Sequence, residues 1–211
     1  ERTLGLTLQA LAGLSPHLTP LATALSPMGE TTATLPCWND DVMGLPDVLD
    51  AMHGVSALDR YRLMVLHMAM HARISTACVA DNWSPAQRMA VEWFEDTRVD
   101  WQMMQTWPGL ARPMRRLYPA VREDDCNEAT HACVLHRLSV WSRAVLDPSF
   151  GVQDPTLAHW VQRFGELLRQ PELTTAQVAQ CALQFVARTR RPSDAKPQVH
   201  FAGTRVDWRD D

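Results

Sequence analysis

SPAQRMAVEWFEDTRVDWQMMQTWPG (residues 84–109) is the stretch that decides the fold. It opens on a helix start. Ser84 offers a hydroxyl N-cap, Pro85 suits the first helical position, and Gln87 completes a capping box. It closes on a stop, Pro108-Gly109, which predicts a helix running to about Thr106. Within it, Trp93, Phe94, Trp101 and Met104 supply a broad apolar surface. Glu92, Asp96 and Asp100 fall four apart in an acidic row, and Glu95 and Arg98 fall three apart and can pair within the helix. Charges beside so much aromatic surface are expected to be partly buried, and buried ions must be paired. Two acids on adjacent turns of one helix do not reach across a substrate as a glycosidase pair does. The cluster therefore reads as mortar between helices.

Helical periodicity continues on both sides. Leu4, Leu8, Leu11 and Leu14 form a short stripe ended by Ser15-Pro16. Residues 15–39 shift to Pro, Thr, Ser and Gly and read as an extended or loosely ordered link. LPDVLDAMHG (residues 45–54) reads as a short helix with a glycine stop. A longer helix is predicted over residues 57–74, with Ser56 as cap, Asp59 in the box position, and Leu63, Leu66, Met70 and Ile74 along one face. A short basic helix follows over residues 110–117. Further helices are predicted over about 129–146, 155–169 and from Thr174 or Thr175 to about 189. The tail PQVHFAGTRVDW alternates weakly and suggests a strand or hairpin turning at Ala202-Gly203. The expected fold is mostly α: an array of about seven helices with a small β element near the C-terminus. The expected organisation is a helix and Pro/Thr-rich linker over residues 1–40, then a helical domain over 41–211.

Composition bounds the function. The chain has 211 residues, 46% hydrophobic and 21% charged, with a net charge of -4. That suits a globular protein with a real core and gives no electrostatic basis for binding nucleic acid or an anionic membrane. Lys196 is the sole lysine, so the cations are arginines, which grip carboxylates with two prongs. The five cysteines, Cys37, Cys78, Cys126, Cys133 and Cys181, form no CxxC pair and no even framework. A reducing, cytoplasmic setting is expected. No apolar run approaches the roughly 20 residues of a bilayer crossing. No P-loop and no GxSxG occurs, so neither a nucleotide site nor an α/β-hydrolase nucleophile is expected. Neither a catalytic residue nor a cofactor is expected.

His67 and His71 lie four apart on one helix. Such a pair can hold a metal with a carboxylate from a neighbouring helix, and Glu92, Glu95, Asp96 and Asp100 offer one. The glutamate of a zinc-protease HExxH is missing, since the sequence reads HMAMH. The preferred reading assigns no metal and places His67, His71, Glu92, Glu95, Asp96, Arg98 and Asp100 in one structural network. The alternative is a metal-binding helical domain. Arg112, Arg115 and Arg116 form a compact basic patch, and Arg188, Arg190 and Arg191 another. Either can face solvent or grip an acidic partner. With Trp107 and Tyr118, the first patch is the expected docking surface.

Three motifs in order carry a resemblance: His67-Met68-Ala69-Met70-His71, then Glu95-Asp96-Thr97-Arg98-Val99-Asp100, then Pro108-Gly109-Leu110-Ala111-Arg112. Together with GVSALDRYRLMVLHMAMH, VADNWSPAQRMAVEWFED and HRLSVWSRAVLDPSFG, this order resembles the helical region of the CbbO/NorD family over about residues 45–151. The cobalt-chelatase large subunit shares a looser version. The resemblance implies a helical part preceding a von Willebrand factor A domain that works with a MoxR-type AAA+ ATPase ring. In the CbbO branch, which these segments resemble most, it implies a CbbQ-type hexamer as partner. It also implies a rubisco activase function, the release of inhibitory sugar phosphates, with rubisco met through the full-length protein. In the NorD branch it implies maturation of nitric oxide reductase. The DxSxS loop of an adhesion site is missing, and a von Willebrand domain would need about 180 further residues. The expectation is thus the N-terminal helical domain alone, without the magnesium site.

Overall fold

The computed structural model describes residues 1–21, 24–25, 31–32, 35–78, 82–125, 134–191, 194 and 204–210. Among these residues the chain is mostly α, with seven α-helices and five short strands. It divides into two compact units. The first comprises Glu1–Arg73, Met103–Leu117 and Val206–Asp211, and the second Ile74–Gln102 and Tyr118–Arg205.

The first unit begins with α1 (Arg2–Ala12), which buries Leu4 and Leu8. It ends at Gly13, whose φ of 71° gives the left-handed turn that closes a helix at little steric cost. A three-stranded sheet follows. β1 (His17–Leu21) pairs parallel with β5 (Val42–Pro46), and β4 (Cys37–Asn39) pairs antiparallel with the other edge of β5. β2 (Ala24–Leu25) and β3 (Thr31–Thr32) make a separate two-residue ladder. The sheet thus lies toward the N-terminus, not the C-terminus, and uses residues expected to form a link. Pro20 disguised β1 in the sequence. It is tolerated because β1 is an edge strand, where a missing N–H removes no ladder bond on the open side.

The helix expected over residues 45–54 is absent. Leu45 and Pro46 end β5, and Met52 and Val55 form an isolated bridge around His53 and Gly54, both at positive φ. Three carbonyls of this segment, those of Pro46, Asp47 and Asp50, are taken by side chains. Tyr61 donates its hydroxyl hydrogen to Pro46, at 2.9 Å, and Arg60 donates to Asp50, at 2.5 Å. Both donors lie on α2 (Ala57–Ile74), where Ser56 and Asp59 form the reciprocal cap. Every residue from Leu63 to Met70 is buried, so α2 is covered all round rather than along one stripe. A 3-10 turn (Pro108–Leu110) and α4 (Ala111–Leu117) complete this part. The tail segment 204–210 forms no strand. Val206 and Trp208 are buried, and Asp207 accepts two bonds from Arg60 at 2.8 and 2.5 Å. Ala202 and Gly203 lie outside the described residues.

The second unit is helical. It takes residues 74–102, including most of α3 (Pro85–Thr106), with α5 (Val134–Leu146), α6 (Pro155–Leu167) and α7 (Thr175–Thr189). Ser84 and Gln87 make the capping box at the start of α3. Asp154 caps α6, and Thr174 with Gln177 caps α7. The core is aromatic. Phe94 stacks on Trp141 with centroids 3.7 Å apart and planes 13° apart, and Phe164 and Phe185 meet both rings edge-on or tilted. Thr97 and Ser142 share a hydrogen bond of 2.7 Å between α3 and α5.

Candidate functional site

The acidic and basic residues of α3 are buried from Glu95 to Asp100, while Glu92 is exposed and stands outside that buried run. Within the second unit, Glu95 and Arg98 form a closed network. Arg98 donates to both oxygens of Glu95, through Nε at 2.9 Å and through Nη2. Its remaining donors reach the carbonyl of Leu173 at 3.1 Å, that of Ile74 at 2.8 Å and the hydroxyl of Thr175 at 3.3 Å. Glu95 also accepts from Ser75, at 2.6 Å, and from Thr175, at 3.0 Å. Both ionic side chains are less than a tenth exposed. Three segments of chain converge here: residues 74–76, the middle of α3 and the start of α7. The charge is matched and the donors and acceptors are satisfied by protein. Such an arrangement suits holding segments together. Thr175, which the sequence left as one of two caps for α7, joins this network, and Thr174 does the capping.

His67 and His71 belong to the first unit, whereas Glu92, Glu95, Asp96, Arg98 and Asp100 belong to the second. Within the first unit the two histidines sit one turn apart on α2. Their Nε2 atoms are 3.2 Å apart, and the rings meet edge to face. His67 is fully buried and His71 half-buried. Asp210 brings a carboxylate oxygen to 3.6 Å from His67 Nε2. Nothing in the spacing of the sequence pointed to Asp210, which lies 143 residues from His67.

The basic patch of α4 divides. Arg112, Arg115 and Arg116 are exposed and Trp107 is half-buried, but Tyr118 is only 7% exposed and falls in the second unit. Tyr118 gives its hydroxyl hydrogen to the carbonyl of Ser139 and presents little surface. Arg62, Arg112 and Arg116 line a recess of about 330 Å³ with the backbone of Gly54 and Gly109. Arg116 Nη1 lies over Gly54, where a β-carbon would stand only 3.5 Å away. The lone carboxylate there, Asp59, is already engaged by Ser56 at 2.7 Å and Arg62 at 2.8 Å, and those partners, Ser56 first, hold its pKa below the ordinary carboxylate value. Arg112 and Arg116 carry no salt bridge among the described residues. The recess is therefore net positive.

The second patch lies in the second unit. Arg188, Arg190 and Arg191 line a smaller recess of about 170 Å³ with Asp154 and Arg137. Arg137 is buried and paired with Asp194 at 2.5 Å. Among the described residues no helix is long and apolar enough to cross a membrane. No family model, no curated protein and no solved structure matches the chain.

Proposed function

We propose that this chain is a non-catalytic helical adaptor domain that docks on a MoxR-type AAA+ ATPase ring of the CbbQ kind. In this reading it belongs to a rubisco activase, with the client met through the full-length protein. The ring supplies the work of releasing inhibitory sugar phosphates, and the adaptor supplies address and geometry. The observation that carries the docking half is the net-positive recess lined by Arg62, Arg112 and Arg116, in which Arg112 and Arg116 offer exposed guanidinium groups to an acidic partner surface. The internal saturation of the Glu95–Arg98 network supports the non-catalytic half. The choice of client rests on the ordered motifs His67–His71, Glu95–Asp100 and Pro108–Arg112 and their resemblance to the CbbO branch.

The test is co-elution of the purified chain with its ATPase ring, with and without a slowly hydrolysed nucleotide. Co-elution in at least one nucleotide state is expected. Separate elution in both states overturns the proposal.

A further inference from the structure

The second unit holds a buried guanidinium that is only partly satisfied. Arg137 lies on α5, and its side chain is 5% exposed. Its Nη2 donates to Asp194 Oδ2 at 2.5 Å, while its Nε and Nη1 have no hydrogen-bond partner. A guanidinium cannot shed its charge, so buried N–H groups of this kind call for an acceptor. Asp194 spends Oδ2 on Arg137 and on the backbone N–H of Arg191, at 2.8 Å, and its Oδ1 meets no donor.

Arg137 also lines the recess of about 170 Å³ beside the start of α6 and the exit of α7. Three more arginines line it. Arg188 and Arg190 are exposed and hold no salt bridge among the described residues, and Arg191 stands 3.8 Å from Asp154. Asp154 is engaged in capping α6, through the backbone N–H of Thr156 at 2.7 Å and of Leu157 at 3.3 Å. Four arginines thus meet two aspartates, a surplus of two positive charges even with both aspartates ionised.

We infer that this recess is an anion site for a phosphate dianion, free or as the phosphoryl end of a small molecule. A phosphoryl group brings about two negative charges and three strong acceptor oxygens, which matches the surplus and the unmet donors. Guanidinium forks grip such a group with two prongs. A carboxylate answers only one of the two surplus charges. The volume lies below the roughly 300 Å³ at which small-molecule pockets begin, so the recess takes the phosphoryl group alone. Arg137 supplies the buried part of the lining, and Arg188 and Arg190 supply the exposed rim. Bound there, the anion ties the exit of α7 to α5 and α6. The site stands apart from the docking reading, because its residues belong to the second unit and the docking arginines to the first.

The experiment is equilibrium dialysis of the whole chain against labelled inorganic phosphate, with a second arm against phenyl phosphate and ionic strength held by chloride. Saturation at one equivalent is expected for at least one of the two. Tighter binding of inorganic phosphate marks the free anion as the ligand, and tighter binding of phenyl phosphate marks the phosphoryl end of a larger molecule. Arg188→Gln with Arg190→Gln, both at exposed positions, should keep its helical content by circular dichroism and bind about tenfold more weakly or worse. Arg112→Gln with Arg116→Gln, in the first unit, should bind as the parent does. In the parent, the Nε–H nuclear magnetic resonance of Arg137 should shift as the anion is added, which reads the buried group without mutating it. The inference is overturned by the absence of saturable binding of either anion, by parent-like affinity in the Arg188, Arg190 variant, by a loss confined to the Arg112, Arg116 variant, or by an unmoved Arg137 resonance.

Discussion

Replacing Arg98 by methionine tests the reading of the α3 charges as structural. Methionine keeps much of the apolar stem and removes the guanidinium. Five hydrogen bonds go with it: two to Glu95 and one each to Leu173, Ile74 and Thr175. Glu95 stays buried, with Ser75 and Thr175 as its remaining donors. Removing one partner of a buried ion pair costs about 3–5 kcal/mol. The two surviving hydroxyl donors place the expected loss near the lower bound, at about 3 kcal/mol. Urea unfolding followed by far-ultraviolet circular dichroism measures it as a lowered midpoint. The companion variant Glu95→Leu with Arg98→Met removes both charges together. An apolar replacement of a whole buried pair is often neutral, so the double variant should be more stable than Arg98→Met alone. A loss below about 1 kcal/mol for Arg98→Met, or a double variant as unstable as the sum of the singles, would refute the reasoning.

The aromatic core gives a second expectation. Trp141 is fully buried and stacked on Phe94, so Trp141→Ala should cost about 3–5 kcal/mol, read from the same urea titration. Gly44 sits on β5 where a β-carbon would stand 2.7 Å from Leu21 Cδ2, so Gly44→Val should destabilise the sheet by about 1–3 kcal/mol and Gly44→Ala by less. Burial pushes the Cys181 thiol from 9.0 up to about 11, with Arg163 opposing weakly. A raised folded value means the folded state holds its proton longer than the unfolded state. Stability from this group is therefore full below pH 9 and is lost as pH rises through about 11, by about 2–3 kcal/mol in all. Cys181→Ala should remove that alkaline slope, whatever its effect at neutral pH. Alkylation at pH 8 should label exposed Cys78 and spare Cys181 until the protein unfolds.

Local signals were the readable ones. The cap at Ser84, the box with Gln87 and the stop at Pro108-Gly109 act within a few residues, and α3 begins and ends beside them. Ser56 and Asp59 place the start of α2 in the same way. The i,i+3 spacing of Glu95 and Arg98 also made their pairing visible. Distant partners were not readable. β1 needs β5, which pairs His17 with Val42, and Pro20 argued against a strand that only its edge position permits. The tail alternates like a strand, yet its residues serve α2: Asp207 reaches Arg60 across 147 positions. Thr175 reaches Glu95 across 80. Where a helix was expected at residues 45–54, β5 ends and a turn follows, and Arg60 and Tyr61, outside the stretch, hold the carbonyls of Asp50 and Pro46. Tyr118 carried an aromatic and a polar tip, the usual dress of an interface residue, but its hydroxyl is turned inward to Ser139.

The proposed docking would present Arg112 and Arg116 to an acidic partner surface. Its most direct measurement is the affinity of Arg112→Glu, Arg116→Glu protein for the cognate ATPase ring, beside the parent chain, with helical content checked by circular dichroism. Both side chains are exposed, so the fold should persist. The expected result is a folded double variant that no longer binds the ring and a parent whose binding weakens as salt rises. A folded double variant that binds the ring as tightly as the parent would contradict it.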